Sequence, residues 1–261
     1  MKSFKAELLK LRFHKIYWAF IGIAVFLSVL SGLGAAFATQ NSNGTLPAGL
    51  LLNHNYVDGI YSKALAGYIF AIVGGVSLMT NEFRYNTATG TFLGQPRRID
   101  VVKAKFAAGA IYGIIVMAIS TALGLIAAYV GMLPYKHVAP DISSIATIIW
   151  SAILIGFLLG TMGVSLGTLI RNYQIATTGT MIYLYIVERL LVVFVPHFAK
   201  YLTTGLITSL MDLNLKLKIG NGIAQINTQD FLPVLPATLL LILYSLAIAG
   251  LAVRTTLRRD I

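Results

Sequence analysis

The residues of this sequence that could do chemistry are few and scattered. Gly163-Val164-Ser165-Leu166-Gly167 matches G-x-S-x-G, the pattern that exposes a serine nucleophile on a sharp strand-to-helix turn beside a histidine base. Here the pattern lies inside an apolar, helix-like run. The four histidines, His14, His54, His137 and His197, lie outside the interiors of such runs, so no base is placed to activate Ser165. They are also too dispersed to converge on a metal. Cysteine is absent, which removes disulfides, thiolate metal sites and a thiol nucleophile. No G-x-x-x-x-G-K-[ST] loop is present, so the backbone cradle that holds nucleotide phosphates must be sought on another chain.

Two charged constellations remain. Glu188 and Arg189 adjoin near the end of an apolar run. Neighbouring helical positions point about 100° apart, so the two do not simply pair. Two readings are open: both side chains snorkel to the outer interface, or they line the exit of a pathway. The second constellation is Glu82-Phe83-Arg84-Tyr85-Asn86-Thr87 with Thr89, Thr91 and Phe92, followed by breaks at Gly94 and Pro96 and by Arg97 and Arg98. Threonine and asparagine can cap a short helix here, and Phe83, Tyr85 and Phe92 would offer an aromatic surface of the kind favoured at interface cores. An ordinary basic loop reads equally well from the chemistry alone.

The elements that carry these residues are membrane spans. Of 261 residues, 57% are hydrophobic and only 11% charged, against about a quarter charged in soluble domains; the mean hydropathy is +0.80. Six stretches are long and apolar enough to span, counting roughly 20 residues for a hydrocarbon core of about 30 Å. They are Ile16–Ala38, Ala64–Thr80, Phe106–Gly131, Ile145–Ile170, Gln174–Val195 and Leu232–Val253. The second is interrupted by Gly74-Gly75, and Arg171-Asn172-Tyr173 alone separates the fourth from the fifth. The first has a small-residue site at Ala36-Phe37-Ala38, but it exceeds the roughly 7–15 apolar residues of a signal peptide and reads as a retained span. Gly109-x-x-x-Gly113, Gly156-x-x-x-Gly160 and Gly163-x-x-x-Gly167 permit close helix approach, within one subunit or between two.

Lysine and arginine set the orientation. Fourteen fall before the first span, in the second and fourth connections and in the tail; five fall on the other side. An even number of spans with both termini inside follows from this bias. The net charge of +11 is spread in short segments between spans and not gathered on a soluble face, which argues against nucleic-acid binding. Ahead of the first span, Phe4, Leu8 and Leu11 recur at helical spacing among Lys2, Lys5, Lys10, Arg12 and Lys15. This spacing predicts an amphipathic helix lying in the cytoplasmic interface with its apolar face in lipid. The outer segment Pro196–Phe231 is long for a loop and only moderately polar, which suggests structure of its own and partial re-entry.

The segment after the second span resembles the signature of type-2 ABC exporter permeases, Glu-x-Arg-x-Gly-Thr, a hydroxyl-rich turn, then Leu-x-x-Pro-x-x-Arg and a Lys opening the next span. The matching positions are Glu82, Arg84, Thr87, Thr89, Thr91, Pro96, Arg98 and Lys105. The basic start Lys5–Arg12, the six-span layout and the long outer segment are similar to the family as well. Asn86 stands where the family usually has Gly, although Asn tolerates a left-handed backbone.

The resemblance implies an all-α membrane protein, one permease domain over residues 1–261, with a short cytoplasmic coupling helix between spans two and three. That helix would dock on a dimer of ABC ATPase subunits, which would bind ATP and Mg and do the hydrolysis. This chain would bind no cofactor and no metal and catalyse nothing itself. It would pair with a second permease, identical or homologous, in a bacterial cell membrane, and export a hydrophobic or amphiphilic drug, lipid or antimicrobial peptide. A non-transporting sensor, anchor or immunity subunit is the competing expectation.

Overall fold

A computed structural model describes residues 2–40, 67–85, 87, 98–134, 142–210, 216–219, 222–225 and 232–258. The described chain is helical apart from one short hairpin. The order is α1 (Lys2–Phe13), α2 (Lys15–Gln40), α3 (Tyr68–Arg84), α4 (Arg98–Met132), α5 (Ile142–Ile170), α6 (Tyr173–Ile182), a π turn (Tyr183–Val187), α7 (Glu188–Phe194), a 3-10 turn (Pro196–Tyr201) and α8 (Thr203–Leu210). Strands β1 (Lys216–Ile219) and β2 (Gly222–Gln225) pair antiparallel, and α9 (Val234–Arg258) closes the chain.

Among the described residues four helical segments are long and apolar enough to cross a membrane: Lys15–Phe37, Ile99–Met132, Ile145–Ile170 and Val234–Thr255. The second and fifth expected spans take a different form. The described α3 has 17 residues, and the helical run through α6 and α7 is divided by the π turn. α3 is the centre of the bundle: every residue from Ile69 to Thr80 is buried. It packs on α5, α4 and α6, while α2 lies on α4 and α9 on α5. A helix enclosed on all sides is apolar all round; before Asn81 and Glu82, α3 departs from this at Ser77 and Thr80, whose buried hydroxyls donate to the Val73 and Val76 carbonyls one turn back.

Glycine makes this packing possible, and it does so within one chain. A Cβ at Gly113 would collide with the Gly156 carbonyl, one at Gly160 with the Gly109 carbonyl, and one at Gly163 with the Ile72 carbonyl. Gly109, Gly113, Gly156 and Gly160 thus bring α4 and α5 into backbone contact, and Gly163, Gly167 and Gly75 do the same for α5 and α3. Gly74 leaves the space that the Tyr112 ring fills. Without a hydrophobic difference between helix and lipid, such close dispersion contact is the main force that holds spans together.

Of the segment after Val195, α8 packs into the bundle. Leu206, Ile207 and Leu210 of α8 join the buried core with Leu184 and Leu241, and Ser151 donates a hydrogen bond to the Leu210 carbonyl at 2.8 Å. The serine of the G-x-S-x-G pattern is buried in α5 and donates to the Thr161 carbonyl one turn back, at 2.8 Å. Its hydroxyl satisfies helix backbone, as is usual for serine inside an apolar helix.

Candidate functional site

At one end of the bundle α1, the last turn of α3 and the first turns of α4 meet around four charges. Glu7 and Glu82 are buried, and Lys105 is only 1% exposed. Lys10 Nζ lies 2.8 Å from Glu7 Oε1 and 2.8 Å from Glu82 Oε1. Lys105 Nζ lies 2.7 Å from Glu82 Oε1 and 3.3 Å from Glu7 Oε2. Two carboxylates and two ammoniums alternate, so the cluster is neutral and each charge touches two of opposite sign. Burying a charge otherwise costs several kcal/mol, on the order of the whole stability of a small domain. Burial alone lowers the Lys10 pKa, but hydrogen bonds to Glu7 and Glu82 and their charges outweigh it and hold it above the ordinary lysine value.

This cluster revises the expectation for two segments. Lys103 and Lys105 read as loop charges preceding the third span, whereas α4 begins at Arg98 and carries both. Val101 and Val102 of that early turn pack on Met79, and the two glutamates make the burial of Lys105 tolerable. In α1 the most exposed apolar side chains are Leu9 and Phe13, and these are the ones that face outward. Phe4, Leu8 and Leu11 are half-buried, with Leu11 against the Tyr17, Tyr112 and Val164 core. α1 packs on α4 and is fastened by its single carboxylate.

Beside the cluster lies an exposed aromatic and basic surface. Asn81–Arg84 stay on α3, so Glu82 turns into the bundle while Arg84, Tyr85 and Thr87 are exposed. The Thr87 amide donates to the Glu82 carbonyl at 3.0 Å and closes the helix end. Arg84 lies over the Tyr173 ring (4.9 Å) and the Tyr85 ring (5.5 Å), and Arg171 lies over Phe83 (5.6 Å). The α3 end and the α5–α6 turn therefore exchange cations and rings. Arg171 adopts a φ of 53°, the left-handed conformation that often ends a helix, and the Asn172 side chain accepts from the Ile175 amide at 3.2 Å to cap α6. A cleft of about 280 Å³ separates Phe83 and Arg84 from Arg171 and Tyr173. His14 stacks on Tyr85 across a second one, of about 340 Å³, lined also by Lys10, Tyr17 and Glu82. Asn86, Thr89, Thr91 and Phe92, and with them the expected coupling helix, lie outside the described residues.

Glu188 sits elsewhere, fully buried. Its two carboxylate oxygens accept the amides of Thr203 (3.1 Å) and Thr204 (2.9 Å) and so cap the N-terminus of α8, where the helix dipole favours an anion. In the π turn the Glu188 amide donates to the Tyr183 carbonyl, five residues back, and the Tyr183 side chain is hydrogen-bonded to the Glu188 carboxylate. Through these contacts Glu188 ties the start of α8 to the π turn. Arg189 follows it in the first turn of α7. Among the described residues no His, Asp and Glu cluster could hold a metal.

Residues 3–188 match the family model of the ABC-2 family transporter proteins, well over half of the chain. The match runs from α1 to Glu188 and takes in the whole ion-pair cluster. The chain belongs to the ABC-2 transporter family. It is thus a membrane protein of a family of transporter membrane subunits, which are generally not themselves catalytic. No curated protein matches it. The sequence pattern had pointed to Glu82, Arg84 and Lys105 in this ABC-2 protein, but not to Glu7, Lys10, Arg171 or Tyr173. The available signal was Glu7, the one acid in a leader otherwise basic.

Proposed function

We propose that this ABC-2 family chain is the permease of an ATP-driven exporter, with six spans, both termini in the cytoplasm of a bacterial cell and ATP and Mg bound by a separate ATPase dimer. The observation that carries this reading is the family match over residues 3–188, which covers α1, the α3 end and the start of α4. In this reading the surface bearing Arg84, Tyr85, Arg171 and Tyr173 meets the ATPase, together with Asn86, Thr89, Thr91 and Phe92. Displacement of that surface reaches the bundle through Glu82, since Glu82 joins α3 to both α1 and α4 through Lys10 and Lys105. A second permease, identical or homologous, completes the pathway. The cargo is hydrophobic or amphiphilic.

The test is co-purification of the chain with an ATP-binding-cassette subunit and ATP-dependent efflux of an amphiphilic dye from cells. Arg84→Ala with Tyr85→Ala is expected to lower efflux at least about tenfold while the chain still reaches the membrane, because exposed contacts of this kind act on partner binding. A chain that purifies alone, or efflux unchanged in the double variant, would sink the coupling role. ATPase association without any flux would favour a sensor, anchor or immunity subunit.

A further inference from the structure

Residues of α3, α5, α6, the π turn, the 3-10 turn, the start of α8 and α9 line a half-open cavity of about 600 Å³. That is within the range of roughly 300–1,000 Å³ typical of small-molecule sites. Met162, Leu166, Leu184, Phe198 and Ile248 give it an apolar wall, and among the described residues no Lys, Arg, His, Asp or Glu lines it. Its polar groups are the hydroxyls of Tyr183, Tyr201, Tyr244, Thr180 and Thr203. Several are already engaged: Tyr244 donates to the Tyr201 carbonyl (3.2 Å) and Thr180 to the Ala176 carbonyl (2.7 Å). Tyr183 and Tyr201 remain partly exposed at the cavity's margin, as does Phe198.

Gly179 lies on the cavity wall. A Cβ there would meet nothing within 4 Å, as at Gly22, Gly34 and Gly250, but of these four only Gly179 borders the cavity. A glycine in a helix costs about 1 kcal/mol relative to alanine, and here no packing offsets that cost. What the missing side chain leaves is space inside the cavity that Gly179 lines.

We propose that this cavity is a binding site for a neutral, long-chain amphiphile, with its hydrocarbon in the Met162–Leu166–Leu184 wall and a hydroxyl or amide head beside Tyr183 and Tyr201. Among the described lining residues a charged head, of either sign, would find no counter-charge. The site names the cargo class of the exporter reading and rests on it. The Glu188 bond ties one wall, α8, to Tyr183 on the other, so occupancy and the position of α8 are linked.

The experiment uses the full chain in nanodiscs with a diazirine-bearing hexadecanol, and maps the labelled peptides by mass spectrometry. Saturable labelling of the peptides carrying Tyr183, Tyr201 and Tyr244 is expected, displaced by hexadecanol and not by hexadecyl sulfate or hexadecyltrimethylammonium. Gly179→Phe, which fills the cavity without a backbone clash, should reduce that labelling at least about tenfold, the equivalent of 1.4 kcal/mol. Gly22→Phe, whose Cβ position on α2 is equally open, should leave it unchanged. Labelling that rises linearly with probe, persists in Gly179→Phe, or is displaced equally by the charged chains would overturn the site. Saturable labelling without ATP-dependent flux would instead remove the exporter reading and leave the site standing.

Discussion

Removing the Lys105 ammonium would take one buried cation from Glu7 and Glu82 and leave them paired with Lys10, which is half exposed where they are not. Stranding a buried charge typically costs about 3–5 kcal/mol. Lys105→Met should therefore lower the melting temperature of the purified chain clearly, and Glu7→Gln added to it should recover part of the loss by restoring neutrality. A Lys105→Met protein that melts like wild type would show that water reaches the cluster. The Lys10 pKa is raised, so its contribution is fully present below the ordinary lysine pKa of about 10.4 and is lost as pH climbs through the higher folded value. Trp18 donates to the Arg12 carbonyl at 3.0 Å and so reports on α1. In a Trp150→Phe background, its emission should stay constant from pH 7 to 9 and shift only in stronger alkali; a transition near neutrality would contradict the assignment. At this scale the sequence was legible in part. Glu82 and Lys105 stood out through the resemblance to the permease signature, but Glu7, with Lys5, Lys10 and Arg12 close by, reads as a solvated partner. Only the fold brings together groups 98 residues apart.

Among the helices, glycine and the Glu188 cap make opposite kinds of contact, and each can be broken separately. Gly160→Leu would drive a side chain into the Gly109 backbone, and overpacking of this sort is expected to prevent accumulation of a monodisperse chain, whereas Gly22→Leu should be tolerated. Detergent gel filtration of the pair decides it. Glu188→Ala would leave the Thr203 and Thr204 amides without an acceptor, at about 1–3 kcal/mol for each buried group. Hydrogen exchange should then rise across α8 with α4 unaffected; equal exchange in both proteins would mean the cap is dispensable. Hydropathy located the apolar runs because length and composition are all a span requires. It did not foresee that α4 starts eight residues before the expected Phe106, since a helix end carrying Lys103 and Lys105 looks like a loop until the counter-charges are known. The small-residue spacing likewise announced close packing but not its partners, which backbone geometry alone assigns to α3, α4 and α5 of one chain.

For the molecule as a whole, the distribution of charge makes the sharpest claim. Glu7, Glu82 and Glu188 are the only glutamates in the chain, and all three are buried in ion pairs or a helix cap. Six aspartates remain against 20 Lys and Arg, and the excess of cations at one end of the bundle predicts that this end faces the side where translocation of Lys and Arg is disfavoured. The chain has no cysteine, and single cysteines can therefore report sidedness without background. Ser3→Cys before the ion-pair cluster and Thr256→Cys at the end of α9 should resist a membrane-impermeant maleimide in intact cells and react after lysis. Ile142→Cys, at the start of α5 and 84% exposed, should react in intact cells. Labelling of only one terminus in intact cells would require an odd number of spans. In that case either α3 or the π-broken helix would fail to cross. Arg84 and Arg171 share one side in either event, since only α4 and α5 lie between them, and their contact through Phe83 and Tyr173 requires that α4 and α5 cross together; the terminal labels therefore test α3 and the π-broken helix, which that contact leaves open.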